Sequence, residues 1–320
     1  MTTGMAPTVD ILLATYNGEA FLAEQIESVL AQSFTDWRLL VRDDGSSDGT
    51  TAIISRYVSQ YPDKINLIKD RDTGLGAAGN FARLMEHSRA PYVMLCDQDD
   101  VWLPQKVGRM LAAIRELETE STTEQPLLVF SDLTVVDRYL NMVHPSFWRF
   151  MLADPVAGTS INRLLGQNVV TGCASICNRR LVELTLPVPA EALMHDWWMA
   201  LVAASLGRLR CLPEATVLYR QHGRNTLGAK NLGIRAILRR ATIAPVQAGV
   251  NTRKVLRATQ SQAAALRTCL GDRMDSRTQH VVASYASLSG AGFLARRLTA
   301  LKFGFLPTGF LRKLIFLGFI

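Results

Sequence analysis

Three aspartates within four residues, Asp97, Asp99 and Asp100, directly follow the apolar run 91–96. An apolar run of this length, bounded by a proline and by carboxylates, predicts a buried strand of an open α/β sheet. In such sheets, ligands bind at the carboxyl ends of the strands. Crowded carboxylates repel one another unless a cation joins them, and hard ions such as Mg²⁺ or Mn²⁺ prefer oxygen ligands. The cluster therefore predicts a divalent-ion site, with capping of a following helix by Asp100 as the alternative.

Alternating strands and helices precede this cluster. Apolar runs at 9–14, 37–41 and 65–68 predict strands, and apolar residues at helical spacing predict helices at about 19–32 and 52–60. Strands that alternate with helices imply right-handed crossovers and a largely parallel sheet. We therefore predict an α/β fold of Rossmann-like character.

Two loops of this alternating region also have chemical character. Asp43 and Asp44 end the second strand, where their carboxylates can accept hydrogen bonds from a base or from ribose hydroxyls. A loop that caps the next helix is the alternative, because three good capping residues follow. Residues 74–80 form a glycine-rich link ending at Asn80, which resembles a phosphate-binding loop although its glycines lack the dinucleotide-binding spacing.

Charge divides the chain into two parts. Residues 224–320 carry sixteen Lys or Arg and two Asp, a net charge of +14, whereas residues 1–223 carry −7. A basic second part predicts a polyanionic surface as its partner. Near the end, at 293–306, basic residues stand among Phe and Leu, which suits a helix lying in the headgroup region of an anionic membrane. An ordinary helical subdomain with solvated arginines is the alternative, and nucleic-acid binding is disfavoured because no recognised motif accompanies the charge.

The cysteines and the first and last residues of the sequence indicate in which cellular compartment the protein is expected. The five cysteines are odd in number and scattered, which favours reduced thiols over a disulfide framework. Cys173 and Cys177 lie four residues apart, but no second pair completes a zinc site. The first residues lack the pattern of a secretory signal, and the apolar run 314–320 is too short to span a bilayer. We expect a cytoplasmic protein that is peripheral on the inner face of the cell membrane.

Three motifs in order give a more specific indication. Residues 14–18 read Ala-Thr-Tyr-Asn-Gly, residues 43–50 read Asp-Asp-Gly-Ser-Ser-Asp-Gly-Thr, and residues 97–102 read Asp-Gln-Asp-Asp-Val-Trp. Together they resemble the family-two glycosyltransferases, which have a GT-A fold. The third motif is most similar to rhamnosyltransferase-type members that act in bacterial surface polysaccharide assembly. The resemblance implies a GT-A domain at about 8–226. The charge and the helical pattern of the remaining residues predict a basic, mostly helical region at 227–320.

The resemblance and the glycine-rich loop together give candidates for binding a nucleotide-diphosphate sugar. These candidates are Thr15, Tyr16, Asp43, Asp44, Asn80, Asp97 and Arg220. The turn at Thr15 and Tyr16 would lie against the base, and one of the adjacent aspartates would contact the base or ribose. The family's Asp-x-Asp element would place Asp99 nearest to a Mg²⁺ or Mn²⁺ that bridges the diphosphate. His222 is a second candidate ligand for this ion, with an ordinary hydrogen-bonded loop histidine as the alternative.

Residues 194–198, Met-His-Asp-Trp-Trp, are similar to the family's catalytic-base motif and precede an apolar helical pattern. An inverting transfer needs one carboxylate that takes the proton of the acceptor hydroxyl, and Asp196 is the candidate. The dipole of the helix is expected to keep its pKa low. Capping of the helix by Asp196 is the alternative, whereas the two adjacent tryptophans, which could form a sugar platform, favour the base.

The function implied is inverting, metal-dependent transfer of a sugar to a glycan or lipid-linked acceptor, with dTDP-L-rhamnose as the implied donor. Residues 221–225 replace the Gln-x-x-Arg-Trp signature of processive relatives, which favours the addition of one or a few sugars. A sugar-phosphate nucleotidyltransferase is disfavoured, because residues 15–18 are not its long glycine- and arginine-rich loop. A catalytically silent membrane-associated adaptor would be expected to have lost either the acidic pair at 97 and 99 or Asp196.

Overall fold

The computed structural model describes residues 7–122, 124–222 and 245–307, together with 313, 316–318 and 320. Its strands are β1 (Val9–Thr15), β2 (Trp37–Asp43), β3 (Ile65–Leu67), β4 (Tyr92–Cys96), β5 (Val101–Trp102), β6 (Leu127–Asp137), β7 (Met142–His144), β8 (Ser175–Asn178) and β9 (Arg208–Gln221). Its α-helices are α1 (Leu22–Leu30), α2 (Thr50–Gln60), α3 (Gly76–His87), α4 (Lys106–Thr119), α5 (Phe147–Phe150), α6 (Ile161–Leu164), α7 (Arg179–Thr185), α8 (His195–Leu206), α9 (Pro245–Leu270), α10 (Ser276–Ala286) and α11 (Phe293–Phe303). The predicted α/β class is confirmed.

The strands form one sheet in the order β3-β2-β1-β4-β8-β6-β9-β5, with β7 beside β6. The first four strands of this order pair in parallel, so their carboxyl ends meet at one edge. Strand β8 runs antiparallel between β4 and β6, whereas β6 and β9 pair in parallel. Strands β1, β2 and β4 are apolar and buried, as strands covered on both faces must be. The sheet edge that they share carries the polar residues singled out above.

The alternative role of Asp100 as a helix cap is wrong. The chain after the acidic cluster enters strand β5, which pairs with β9. Helix α4 begins only at Lys106, with Gln105 as its N-cap. Asp100 is therefore held at the sheet and is available to bond other parts of the site.

The helices of the C-terminal region pack onto the rest of the chain. Leu256 and Leu266 of α9 and Tyr285 of α10 belong to the same hydrophobic core as Leu164 and Trp198. The expected helical character of the C-terminal region is confirmed by α9, α10 and α11, while the predicted domain boundary at 226 lies outside the described residues. Among the described helices, none has the length and apolar character needed to cross a bilayer. All five cysteines are free thiols.

The junction between α8 and β9 allows no side chain at Gly207. A Cβ there would lie 1.9 Å from the carbonyl oxygen of Pro126, which accepts a hydrogen bond from the Arg208 amide at 3.0 Å. We expect Gly207→Ala to lower the free energy of unfolding by about 3 kcal/mol in a urea titration, because two backbone segments must separate. Gly290→Ala is the control, since nothing lies within 4 Å of a Cβ at that position. An equal loss in both variants would contradict the expectation.

Candidate active site

The loops that follow β1 and β4 are joined by the side chain of Gln98. Its amide accepts a hydrogen bond from the Tyr16 amide nitrogen and donates one to the Tyr16 carbonyl oxygen, both at 2.9 Å. A Cβ on Gly18 would lie 2.2 Å from Gln98 Oε1, so a larger residue there would displace the Gln98 side chain from Tyr16. The Tyr16 side chain remains exposed beside this junction. It is therefore accessible to a ligand.

Thr15 was expected to lie against a nucleotide base, but the structure buries it. Its hydroxyl donates a hydrogen bond to Asp43 Oδ1 at 2.8 Å. Asp43 Oδ2 also accepts hydrogen bonds from the amides of Gly45 and Ser46, at 3.1 and 2.8 Å. Thr15 thus positions a partly exposed carboxylate and does not itself face solvent.

The two adjacent aspartates have different surroundings. Asp44 is buried, and its carboxylate accepts hydrogen bonds from the amides of Leu75 and Gly76 at 3.0 and 2.8 Å. It therefore caps the start of α3, and the expectation of a donor contact is wrong for Asp44. Asp43 keeps the exposure that a ribose or base contact needs.

Asn80 does not belong to a phosphate-binding loop. The loop ends where α3 begins, and Asn80 is buried within that helix. Its amide nitrogen lies 3.2 Å from the Thr15 carbonyl oxygen and 3.3 Å from that of Arg42. Asn80 thus joins the ends of β1 and β2, because these backbone oxygens need a donor inside the protein.

Arg42, which the sequence did not single out, is the centre of this network. Its buried guanidinium binds both carboxylate oxygens of Asp70 at 2.8 Å and contacts Asn80 Oδ1 at 3.1 Å and Asp44 Oδ1 at 3.3 Å. A bidentate arginine–carboxylate pair fixes orientation as well as distance. Arg42 therefore holds β2, the loop before α3, and α3 itself in one arrangement.

The acidic cluster after β4 is contacted by the end of β9. Asp99 Oδ2 lies 2.8 Å from His222 Nε2, so the two predicted metal ligands are adjacent. Asp100 Oδ1 accepts a hydrogen bond from the backbone amide of Arg220 at 3.0 Å. The His222 ring lies 4.7 Å from the ring of Phe21, which leaves it partly buried.

Arg220 was expected to contact a diphosphate, but its guanidinium points into the protein. It donates to the carbonyl oxygens of Asp99 at 2.9 Å and Arg138 at 2.7 Å, and it pairs with Glu24. Its charge also lies over the Phe21 ring, 4.7 Å from the centroid. This geometry gives Arg220 a positioning role, in which it holds the acidic loop against β9.

Carboxylate oxygens make up two of the three donor atoms near Asp97, and such oxygens are the ligands that hard divalent cations prefer. One ligand atom each from Asp97, Asp100 and Cys173 lie within 4.8 Å of one another. Burial, followed by the charges of Asp99 and Asp196, raises the pKa of Asp97 to about 7. Burial and nearby carboxylates raise the pKa of the Cys173 thiol well above its ordinary value. An oxygen-rich set with one nearby histidine suits Mg²⁺ or Mn²⁺.

Asp196 lies in the first turn of α8 and faces the segment before β8. Its Oδ2 accepts a hydrogen bond from the Gly172 amide at 3.0 Å, and its Oδ1 accepts one from the Trp197 amide at 2.6 Å. The capping alternative is wrong, because the N-cap of α8 is Met194. The expected low pKa is also wrong: burial raises the pKa of Asp196 to about 6 in spite of the two amide donors.

The neighbours of Asp196 are structural. Trp198 is buried and donates to the Thr185 carbonyl oxygen, so it cannot serve as a sugar platform, and Trp197 donates to the Leu164 carbonyl oxygen. Burial lowers the pKa of His195 to about 3, which keeps this ring neutral.

Lys106 is a second buried cation that the sequence did not single out. Its ammonium donates to the Cys173 carbonyl oxygen and lies 4.1 Å from the centroid of the Trp102 ring. Burial lowers its pKa to about 8, although the charges of Asp100 and Asp97 oppose this shift. Lys106 is the first residue of α4, and a lysine at the start of a helix gives no sequence signal of such a role, because lysines there are usually solvated.

A family model described as "Glycosyl transferase family 2" matches residues 10–183. The chain belongs to this family. It is 33% identical over 129 residues to the putative glycosyltransferase EpsE of Bacillus subtilis, with 40% of this chain and 46% of EpsE covered. It is 26% identical over 239 residues to the dTDP-rhamnosyl transferase RfbG of Shigella flexneri, with 71% of this chain and 77% of RfbG covered.

The similarity to known proteins covers only part of the length of some relatives. An uncharacterised Mycobacterium tuberculosis protein is 28% identical over 218 residues, which cover 67% of this chain and 59% of that protein. The chain thus spans less than two thirds of the length of the first relatives that it matches, EpsE included. Among solved structures, S. aureus TarS 1-349 aligns with a TM-score of 0.55 at 16% identity, over 91% of this chain and 72% of TarS. This likeness concerns the fold alone. The predicted GT-A fold of the family is confirmed.

Removal of the Arg42 side chain tests the network beneath the donor side of the site. We expect Arg42→Met to lower the free energy of unfolding by about 3–5 kcal/mol, because it leaves the buried carboxylate of Asp44 without its cation. Urea unfolding followed by circular dichroism measures the change. Arg83→Met is the matched control, since Arg83 pairs with acidic residues on the surface. A stable Arg42→Met protein would show that the network contributes little.

Proposed function

We propose that this glycosyltransferase is inverting and metal-dependent, and that it moves L-rhamnose from dTDP-L-rhamnose to a glycan or lipid-linked acceptor in surface polysaccharide synthesis. The main support is that Gly172 and Cys173, which are consecutive in the chain, contact the predicted base and the predicted metal cluster respectively. The Gly172 amide holds Asp196, and the Cys173 sulfur lies within 4.8 Å of oxygens from Asp97 and Asp100. The two acidic groups therefore border the same space.

The acidic cluster supports the departure of a nucleoside diphosphate. Asp97, Asp99 and His222 are the residues that would hold a Mg²⁺ or Mn²⁺ ion. When bound, the ion supplies positive charge against the negative charge that develops on the leaving oxygens. Asp100 orients this loop through its hydrogen bond to the Arg220 amide, at 3.0 Å. The protein thus fixes the carboxylates before the donor arrives, which avoids reorganisation during the reaction.

Asp196 supports the attack of the acceptor. Its carboxylate takes the proton of the acceptor hydroxyl while that oxygen bonds to the anomeric carbon and the bond from this carbon to the diphosphate oxygen breaks. Attack from the side opposite to the leaving group inverts the anomeric configuration. With its pKa raised to about 6 by burial, Asp196 is ionised at neutral pH and still a better proton acceptor than an ordinary aspartate.

Similarity to known proteins supports the choice of donor. The similarity to the dTDP-rhamnosyl transferase RfbG supports a dTDP-L-rhamnose donor. TarS, which shares the fold, has been crystallised with UDP-GlcNAc, so that protein binds a nucleotide sugar. We assign the base and ribose contacts to Tyr16 and Asp43. We also propose that residues 8–226 form the catalytic domain, and that the protein works peripherally at the cytoplasmic face of the membrane.

Two substitutions separate donor binding from transfer. We expect Asp99→Asn to weaken Mn²⁺-dependent dTDP binding about tenfold or more in calorimetry, because it removes a metal ligand. We expect Asp196→Asn to bind dTDP as the native protein does, yet to release dTDP from dTDP-L-rhamnose about a thousandfold more slowly, because it lacks the base. Since Asp196 must be ionised, native kcat/KM should fall as the pH drops below about 6.

Asp63→Asn is the control for both measurements, since Asp63 is exposed at the surface. If Asp196→Asn keeps the native rate, Asp196 is not the base. If Asp99→Asn keeps native Mn²⁺-dependent binding, the ion does not bind at the acidic cluster.

The donor is identified by a screen of nucleotide sugars with Mg²⁺ or Mn²⁺ present. We expect kcat/KM for dTDP-L-rhamnose to exceed that for UDP-GlcNAc and GDP-mannose by about tenfold or more, read out as nucleoside diphosphate release. Preference for another sugar would reject the rhamnosyl assignment and keep the transferase. No turnover of any nucleotide sugar would reject the transferase and favour the catalytically silent adaptor.

A further inference from the structure

Helix α11 exposes apolar side chains on its outer face. Phe293, Leu294, Leu298 and Leu301 are 61%, 71%, 66% and 53% exposed. At 100° per residue, these four positions fall within one arc of about 140°, and the buried Ala300 lies just beyond the edge of this arc that Phe293 forms. Single exposed leucines are ordinary, but a contiguous apolar face marks an interaction surface.

Basic side chains lie within and beside this face. The Arg297 guanidinium stacks over the Phe293 ring, 3.5 Å from its centroid, and donates to the Phe293 carbonyl oxygen at 2.9 Å. Lys302 stands at the edge of the same arc and lies over the Phe303 ring at 5.5 Å. Long cationic side chains that rest on apolar groups can keep their charges in a polar layer while their stems remain in an apolar one.

A basic pocket opens next to the first turn of α11. The pocket has a volume of about 290 Å³ and is lined by Arg253, Leu256, Arg257, Ser289, Arg296 and Ile320. Arg296 follows Phe293 by three residues, so the two side chains are neighbours on the helix surface. In the part of the chain that the structure describes, Arg296 Nε is buried and has no hydrogen-bond partner. The three arginines that line this pocket form a basic site that suits an anion such as a phosphate group.

Acidic side chains are few in the C-terminal region. From residue 224 onward the sequence contains only Asp272 and Asp275. Asp275 caps the start of α10, where it accepts a hydrogen bond from the Thr278 amide at 2.9 Å. Asp272 follows the far end of α9, about 28 Å along the helix axis from Arg253 at 1.5 Å per residue. The positive charge around α11 is therefore not cancelled within this region.

We propose that α11 lies in the headgroup layer of an anionic phospholipid bilayer, with its four exposed apolar residues toward the acyl chains and a lipid phosphate in the arginine pocket. A bilayer supplies the apolar layer and the negative charges together, at the spacing that an interfacial helix needs. A second copy of this chain fits less well, because an isologous contact through this face would bring like charges together. Bilayer binding goes beyond sugar transfer, and either can fail without the other.

Vesicle flotation of the full chain tests the surface. We expect the native protein to float with vesicles containing 30 mol% phosphatidylglycerol about tenfold better than with phosphatidylcholine alone, because surface charge adds to the apolar contact. We expect Leu294→Glu/Leu298→Glu to lose this binding. We expect Arg253→Ala/Arg257→Ala to lose the preference for the anionic lipid, since two of the three pocket arginines are gone.

Met142→Glu/Val156→Glu is the matched control, because these two exposed apolar residues, at 67% and 69%, lie far from α11 in sequence. Release of dTDP from dTDP-L-rhamnose in solution should be the same for all variants, which separates lipid binding from transfer. Equal flotation of the native protein and Leu294→Glu/Leu298→Glu would overturn the proposal. A native dimer that the same substitutions convert to a monomer, without vesicle binding, would assign the face to a second copy instead.

Discussion

The site depends on holding four carboxylates close together where water is scarce. Burial and the charges of neighbouring carboxylates raise the pKa values of Asp97 and Asp100, and burial raises the pKa of Asp196, so the charged forms of these groups are costly. The nearby cation, Lys106, offsets this only in part, because burial lowers its own pKa to about 8. The divalent ion that we propose would relieve this repulsion by its positive charge. The crowding of the carboxylates thus supports the proposed binding of a metal together with a diphosphate.

The buried guanidinium groups of Arg42 and Arg220 hold elements of the fold in position. Arg42 joins β2 to α3 through Asp70 and Asn80, and Arg220 joins β9 to the acidic loop through the Asp99 carbonyl oxygen. Each guanidinium satisfies several groups with fixed directions, which a lysine could not do. The loops that carry the donor contacts are thus fixed relative to the sheet. Such preorganisation lets binding energy act on the transition state rather than on ordering the site.

The sequence predicts the strands and acidic motifs well, because buried parallel strands are continuously apolar and their carboxyl ends carry the ligands. It fails where the same side chain suits both a ligand and the protein interior. Asn80 and Arg220 have groups that bind phosphates, yet both satisfy backbone oxygens inside the protein. Arg42 gives no signal, since its partner Asp70 lies 28 residues away and only the fold brings them together. Trp198 was also ambiguous, because an aromatic residue beside a catalytic motif can either stack against a sugar or pack in the hydrophobic core.

The C-terminal helices contact the segments around Asp196, the residue that we propose as the base for the acceptor. Their position can therefore affect sugar transfer. Gln262 of α9 is buried and accepts a hydrogen bond from the Leu193 amide at 2.8 Å, three residues before the proposed base. The Asn162 side chain donates to the carbonyl oxygen of Phe303, the last residue of α11. The segments that carry and border Asp196 are therefore attached to the region that we place at the bilayer. A lipid-linked acceptor held at the bilayer would therefore approach Asp196 beside the C-terminal helices. The packing of these helices against the segments around Asp196 would both attach the protein to the membrane and orient the acceptor.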